Sequence, residues 1–328
     1  MTARRPIPVT VIGGYLGAGK TTCLNHLLAA DHGLRLAVLV NDFGAVNIDA
    51  GLIAEHGGDT VALTNGCVCC AIADDLGAAL QAQTERDPPP DRIVVEASGV
   101  ADPARVMRLA GNWPGCRPAG TAVLADAATV RARAADKFVG RLVVQQMQAA
   151  DLLALNKLDL LAEADVAALR LWAQAQAGRA DLVEARFGDI DSARLFGLGG
   201  GPAAASGTID APEAPGHGLS SVVWRPAGPV DPAALERLLA GRSDIHRAKG
   251  AVATGAGLQR IDWSGGRFAL SAAPLSASLS GASLSGASLS GAARVVLVGP
   301  FGPSAGPALL RALDGCAAAG SAVRETAG

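Results

Sequence analysis

The decapeptide GGYLGAGKTT at residues 13–22 constrains this chain more than any other stretch. Gly14, four residues, then Gly19, Lys20 and Thr21 have the spacing of a phosphate-binding loop. The chemistry needs those types. Glycines let successive backbone N–H groups point inward where side chains would clash, with Gly17 and Ala18 keeping the turn narrow. Lys20 places a cation on β- and γ-phosphate oxygens, Thr21 offers a hydroxyl to Mg²⁺, and Thr22 stands beside it in the first turn of the helix, whose positive end faces the anion. The motif requires a strand before it and a helix after it. PVTVIGG (8–14) supplies the strand, and an amphipathic stretch near 20–30 supplies the helix.

The rest of the first half repeats that alternation. RLAVLVN (35–41), DTVAL (59–63), DRIVVEA (91–97), GTAVLADA (120–127), DLLALN (151–156) and DLVEARF (181–187) read as short aliphatic strands. Helices are expected near 72–84, 102–110, 136–149 and 163–176. Such a βαβ series predicts an α/β fold: a P-loop domain with a mostly parallel sheet flanked by helices on both faces. The P-loop domain is expected over 1–187.

From 188 to 218 the composition shifts to Gly, Ala, Pro and Ser, as in GLGGGPAAASG, and the segment reads as a linker. Beyond it, LSSVVWRP, DPAALERLLAG with an Asp cap and Pro at the first helical position, a hairpin of LQRIDW and GRFAL around Ser-Gly-Gly, ARVVLVG and a helix near 303–314 outline a smaller C-terminal α+β domain over 219–317. Residues 318–328 form a tail. ASLSG recurs three times within 276–292, a five-residue period that suits neither strand nor helix and reads as an inserted loop.

Composition narrows the partners. Half the residues are hydrophobic but only 3% are aromatic, so the core is aliphatic. A formal net charge of −2 gives no electrostatic footprint for nucleic acid or an anionic membrane. No apolar run reaches the length of a membrane span, and MTARRPIPVTVIGG lacks a secretory h-region, so a cytoplasmic location is the expectation.

A second motif reads a base. In LLALNKLDLL (152–161), Asn156, Lys157 and Asp159 form N-K-x-D just past a strand. Asp159 can accept from N1–H and the 2-amino group of guanine, whereas adenine lacks that amino donor. The stem of Lys157 covers the base face. A kinase or other transferase fits less well, for want of an acceptor site. Between the motifs, IVVEASGVADP (93–103) ends a strand on Glu96, positioned to hold Mg²⁺ or its water, with Ser98 and Gly99 following and the Gly99 N–H able to sense a γ-phosphate. VNDFGAVNIDA (40–50) occupies the place of a switch segment, where Asp42 and Asp49 either approach metal and attacking water or are solvated turn carboxylates.

Three of the six cysteines, Cys67, Cys69 and Cys70, fall in TNGCVCCAI (64–72). Thiolates are soft ligands suited to Zn²⁺ and to Co²⁺ in a tetrahedral site. Closed structural zinc sites take two pairs of ligands, and here Cys23, Cys116 and Cys316 are isolated, so three local thiols leave a coordination position open. The competing readings are a strained vicinal disulfide between Cys69 and Cys70 or inert buried thiols. Cys23 reads as a packing residue. His26, His32, His56 and His246 show no ligand spacing, and Arg247 and Lys249 in IHRAKG read either as a partner-docking pair or as a solvated basic turn.

GGYLGAGKTT, NDFGAVNID, GCVCC, EASGVADP and NKLDL, in that order, resemble the CobW family of P-loop GTPases, relatives of the GTPases that assist nickel delivery to hydrogenase and urease. IHRAKG, QRIDW and ARVVLVG resemble the family's C-terminal domain, so the likeness spans about 8–315. It implies GTP and Mg²⁺ binding and slow hydrolysis coupled to binding of Zn²⁺ or Co²⁺. It also implies a client metalloprotein that receives the metal, either a zinc enzyme or a cobalt-dependent protein of cobalamin synthesis, and it allows a homodimer. A metal- or redox-sensing regulatory GTPase that delivers no metal is the alternative. Two departures stand out: Asp42 replaces the usual Glu, and the linker carries only His217 where many members have a His-rich tract.

Overall fold

The computed structural model describes residues 5–40, 59–62, 71–198, 220–272, 293–301 and 305–317. The chain divides into two compact units, Met1–Gly218 and Leu219–Gly328.

In the first unit seven strands among the described residues form one sheet: β1 (Ile7–Gly13), β2 (Leu36–Val40), β3 (Asp59–Ala62), β4 (Arg92–Glu96), β5 (Cys116–Asp126), β6 (Leu152–Asn156) and β7 (Asp181–Glu184). Their order is β3-β2-β4-β1-β5-β6-β7. Every pairing is parallel. The runs are short and aliphatic because both faces are covered, and the two-residue period sends alternate side chains into separate cores. Ile12, Val38, Val94, Leu124 and Leu152 pack with Leu24 and Leu27 of α1 (Lys20–Ala29). Val9, Val11, Leu39, Ile93 and Val95 pack with Leu76 and Leu80 of α2 (Ala71–Glu85) and Met107 of α3 (Pro103–Gly111). Burying each such leucine contributes about 2 kcal/mol against the unfolded chain.

β1 is central, with the earlier strands on one side and the later ones on the other. The chain therefore reverses direction across the sheet there, and a crevice opens at the carboxyl ends of the strands. The register puts Ile12 beside Glu96 and Asp126 beside Asn156, so the strand ends carrying the sequence motifs share that edge.

The helix expected near 136–149 is α5 (Gly140–Gln148), and a short helix that the sequence reading did not place, α4 (Val130–Ala134), precedes it. α6 (Glu163–Ala177) lies as expected. The segment read as the start of a linker is folded: Asp191 caps α7 (Ser192–Phe196), accepting from the Ala193 N–H, and Leu195 is fully buried in the core beside α1. A composition average over 188–218 hid this one apolar turn. Of the two readings of IHRAKG, the solvated turn is excluded.

In the second unit β8 (Ser220–Trp224), β9 (Arg247–Thr254), β10 (Gly257–Ser264), β11 (Arg267–Ala272) and β12 (Arg294–Gly299) form an antiparallel sheet in the order β11-β10-β9-β12-β8. IHRAKG leads into β9, its central strand, and Lys249 is 4% exposed. Ala248 and Val252 face the core, and the small residues among them conceal the strand period. The β10–β11 hairpin turns on Gly265 and Gly266, both at positive φ. The core joins Trp224, Ile261, Trp263 and Leu297 to Leu235 and Leu239 of α8 (Pro232–Ala240) and Leu309 and Leu313 of α9 (Ala305–Asp314). Asp231 caps α8 through the Ala233 N–H, with Pro232 at the first position.

Candidate nucleotide site

Two glycines determine the shape of the loop after β1. Gly14 has φ +132°, and a Cβ there would lie 2.2 Å from the Leu124 carbonyl oxygen. Gly19, at φ +101°, has room only for hydrogen against the Asn156 amide, since a Cβ would come within 2.3 Å of Nδ2. No L side chain fits either position without backbone movement. Lys20 is buried at the start of α1, and its Nζ donates to the Gly14 carbonyl at 2.9 Å, spanning the loop it serves. Thr21 is half-buried, and its Oγ1 donates to Glu96 Oε1 at 3.3 Å. Thr22 is exposed beside it.

The second motif is bound to the first. Asn156 is 1% exposed, and its Nδ2 donates to the Ala18 carbonyl at 2.8 Å. Its Oδ1 accepts from the Lys157 N–H and from the Gly188 N–H, each at 2.9 Å. Three of the four bonds open to that buried amide are thus directed at segments converging on one edge. Lys157 has φ +66°, and its Nζ donates to the Gly17 carbonyl and, at 2.8 Å, to Asp126 Oδ2. The lysine side chain thus bridges the P-loop to the end of β5. Asp159, in a short 3₁₀ turn (Leu158–Leu160), is exposed and open to a ligand.

Glu96 is 3% exposed at the end of β4, and Gly99 is buried next to it. The Ser98 hydroxyl is buried with no hydrogen-bond partner among the described residues, a donor and acceptor suited to a ligand or water oxygen at this edge. The Thr21 hydroxyl and Glu96 carboxylate are hard oxygen donors, which suits Mg²⁺ beside phosphates. Cys23 is buried one turn into α1. Burial, then the neighbouring Glu96 and Asp189 charges, push its thiol up to about 12, as befits a packing residue.

Sequence reasoning missed Asp126, Gly188 and Gln146. Asp126 ends an aliphatic strand run as Glu96 does, and that pattern was available to find it. Gly188 carried only the signal of a glycine after a strand, and Gln146 carried none. Asp42, Asp49, Cys67, Cys69 and Cys70 lie outside the described residues. Among the described residues no group of three or more His, Cys, Asp or Glu could hold a metal ion.

A P-loop at the switch point of a parallel sheet, joined through one buried asparagine to an N-K-x-D motif, defines a P-loop GTPase fold. Residues 8–184 match the CobW/HypB/UreG nucleotide-binding domain, and residues 219–317 match the cobalamin synthesis protein cobW C-terminal domain. The chain belongs to the CobW/HypB/UreG family. It is 35% identical over 225 residues to the zinc chaperone CobW of Sinorhizobium sp, covering 60% of this chain and 63% of that one. It is 36% identical over 205 residues to the zinc chaperone YjiA of Escherichia coli K12, covering 60% and 62%. A 110-residue stretch is 37% identical to the zinc-regulated GTPase metalloprotein activator 1 of Dictyostelium discoideum, covering 30% of this chain and 23% of that one. The match thus spans less than two thirds of the length of these curated relatives.

Proposed function

We propose that this chain binds GTP with Mg²⁺, hydrolyses it slowly to GDP and phosphate, and couples that cycle to binding a transition metal and passing it to a client metalloprotein. The observation that carries the reading is the Asn156 bridge from the Ala18 carbonyl to the N-K-x-D motif, which ties phosphate and base recognition into one site. Gly14, Gly17, Ala18, Gly19 and Thr22 frame the triphosphate, and Lys20 neutralises charge that develops between the β- and γ-phosphates. Thr21 and Glu96 would hold Mg²⁺, which supplies charge neutralisation when bound. Gly99 senses the γ-phosphate, Asp49 orients the attacking water, and Asp159 with Lys157 selects guanine.

Cys67, Cys69 and Cys70 take the metal as cargo, with Asp42 as a further candidate ligand. Zinc is favoured by the names of the relatives; cobalt shares the ligand chemistry. The recipient is a zinc enzyme or a cobalt-dependent protein of cobalamin synthesis. We place the protein in the cytoplasm, with a homodimer as a working assembly. No helix among the described residues is long and apolar enough to cross a membrane.

The test is competitive titration with zinc and cobalt in the GTP- and GDP-bound states, repeated after Cys69→Ser and Cys70→Ser. Metal affinity that differs between nucleotide states and falls at least tenfold in the variants is the expected result. Equal affinity in all forms overturns the coupling.

A further inference from the structure

α5 presents Leu142, Val143 and Met147 to the interior, and among them stands one amide, Gln146, 2% exposed. An apolar side chain would pack there at lower desolvation cost, so the bonds of the amide set its role. Its Nε2 donates to the Ala101 carbonyl at 2.8 Å and to the Gly99 carbonyl at 3.2 Å, using both N–H groups on one turn. That turn is closed by the Ala101 N–H donating to the Ser98 carbonyl at 2.9 Å. Its other side lies against the P-loop, where a Cβ on Gly99 would come 3.0 Å from the Leu16 amide nitrogen. The neighbouring Gln145 donates to Asp102 Oδ2 at 3.1 Å, at the cap of α3.

A glycine peptide reorients freely unless its surroundings hold it. Here the carbonyls on both sides of Val100 are held by one side chain, so the orientation of the turn depends on α5. Three residues beyond the end of α5, Asp151 accepts from the Thr121 N–H at 2.8 Å, immediately before β6, the strand that ends on Asn156.

We propose that Gln146 is a positioning residue that holds the Ser98–Ala101 turn against the P-loop, so that the Gly99 N–H meets a γ-phosphate and the site distinguishes GTP from GDP. This rests on the GTPase reading above. Losing two buried hydrogen bonds weakens recognition of the triphosphate about tenfold and leaves diphosphate binding nearly intact, because the turn lies beyond the β-phosphate.

The experiment measures GDP and GTPγS affinity, kcat, KM and Tm for the full chain and for Gln146→Met, Gln146→Glu and Gln145→Ala. Gln146→Met, which keeps the volume and loses the donors, is expected to bind GDP within about threefold of the unaltered chain. Its GTPγS affinity and kcat fall about tenfold. In Gln146→Glu the carboxylate repels both carbonyls, and protonation restores one donor, so discrimination recovers as pH is lowered toward 5. This arm needs no folding of the methionine variant. Gln145→Ala, which loses only an exposed bond, keeps the preference. An unchanged GTPγS-to-GDP ratio in Gln146→Met, an equal loss in Gln145→Ala, a pH-independent Gln146→Glu, or no preference in the unaltered chain overturns the role of Gln146 alone. An unaltered chain that binds neither nucleotide overturns the GTPase reading and this inference with it.

Discussion

The Asn156 amide donates to the carbonyl of Ala18, 138 residues earlier in the chain, at 2.8 Å. One side chain therefore joins the P-loop to the N-K-x-D turn, and its oxygen also holds the Gly188 N–H. Asn156→Ala leaves a buried carbonyl and two N–H groups unsatisfied, at about 1–3 kcal/mol each before relaxation. The expected outcome is a loss of about 2–4 kcal/mol in urea-denaturation stability, with guanine-nucleotide affinity lowered more than tenfold in fluorescence titration. Unchanged affinity in a folded variant would separate the two motifs.

On the proposed reading, base selection rests on Asp159. Replacing its carboxylate by an amide keeps an acceptor for N1–H and places a donor where guanine also has one. Xanthine, with an oxygen at position 2, then fits better. Asp159→Asn is expected to lose at least about a hundredfold in GTP affinity and to gain relative preference for xanthosine triphosphate. Side-by-side competition of the two nucleotides measures it.

The sheet was legible because its strands are aliphatic runs buried on both faces, so neither face had to be assigned. The motifs were legible because phosphate and base chemistry restrict residue type and spacing together. What escaped reading was held by tertiary contact. Gln146 has an ordinary helical residue type and acquires its place only when the turn after β4 packs on α5. Leu195 and Phe196 sit in a stretch whose average composition is that of a linker, and their burial depends on the sheet they meet. β9 opens on Arg, Ala, Lys and Gly and has only Val252 and Thr254 as strand formers, so its pairing with β10 and β12 on both sides, more than local preference, makes it a strand.

Thiol reactivity distinguishes the scattered cysteines from the cluster. Burial pushes Cys23 up to about 12 and Cys116 up to about 11, and Cys316 is raised by burial and by Asp231. At pH 8 these three remain protonated and react slowly with an aromatic disulfide reagent. The native chain is expected to show at most three fast thiols, those of residues 67–70, and zinc is expected to protect them. The same shifts make stability fall with alkali. The unfolded chain loses the Cys23 proton near 9.0 while the folded one keeps it to about 12, so stability present below pH 9 declines between those values, by at most about 1.4 kcal/mol per pH unit per group. Denaturation midpoints between pH 8 and 10.5 measure the slope, and a flat profile contradicts the burial of Cys23.

Arg92 holds α7 to the sheet. Its Nη1 donates to Thr10 Oγ1 at 2.6 Å and its Nη2 to the Phe196 carbonyl at 2.9 Å, while the guanidinium lies 4.7 Å from the Phe196 ring centre. Burial and the nearby Arg117 lower its pKa, yet a guanidinium stays charged, so the Thr10 oxygen, the carbonyl and the ring carry its compensation. Arg92→Met keeps the packing of the stem and removes both bonds and the cation–π contact. We expect it to lose about 1–3 kcal/mol and to open 188–198 to limited proteolysis. Arg92→Lys is expected to rescue little, because one ammonium cannot reach the hydroxyl and the carbonyl in the planar geometry of the fork. Nucleotide affinity is expected to change less than threefold, since the contacts of Arg92 lie away from the carboxyl ends of the strands. Proteolysis at 188–198 that is equally slow in Arg92→Met and the unaltered chain would mean that Leu195 alone holds α7 in place.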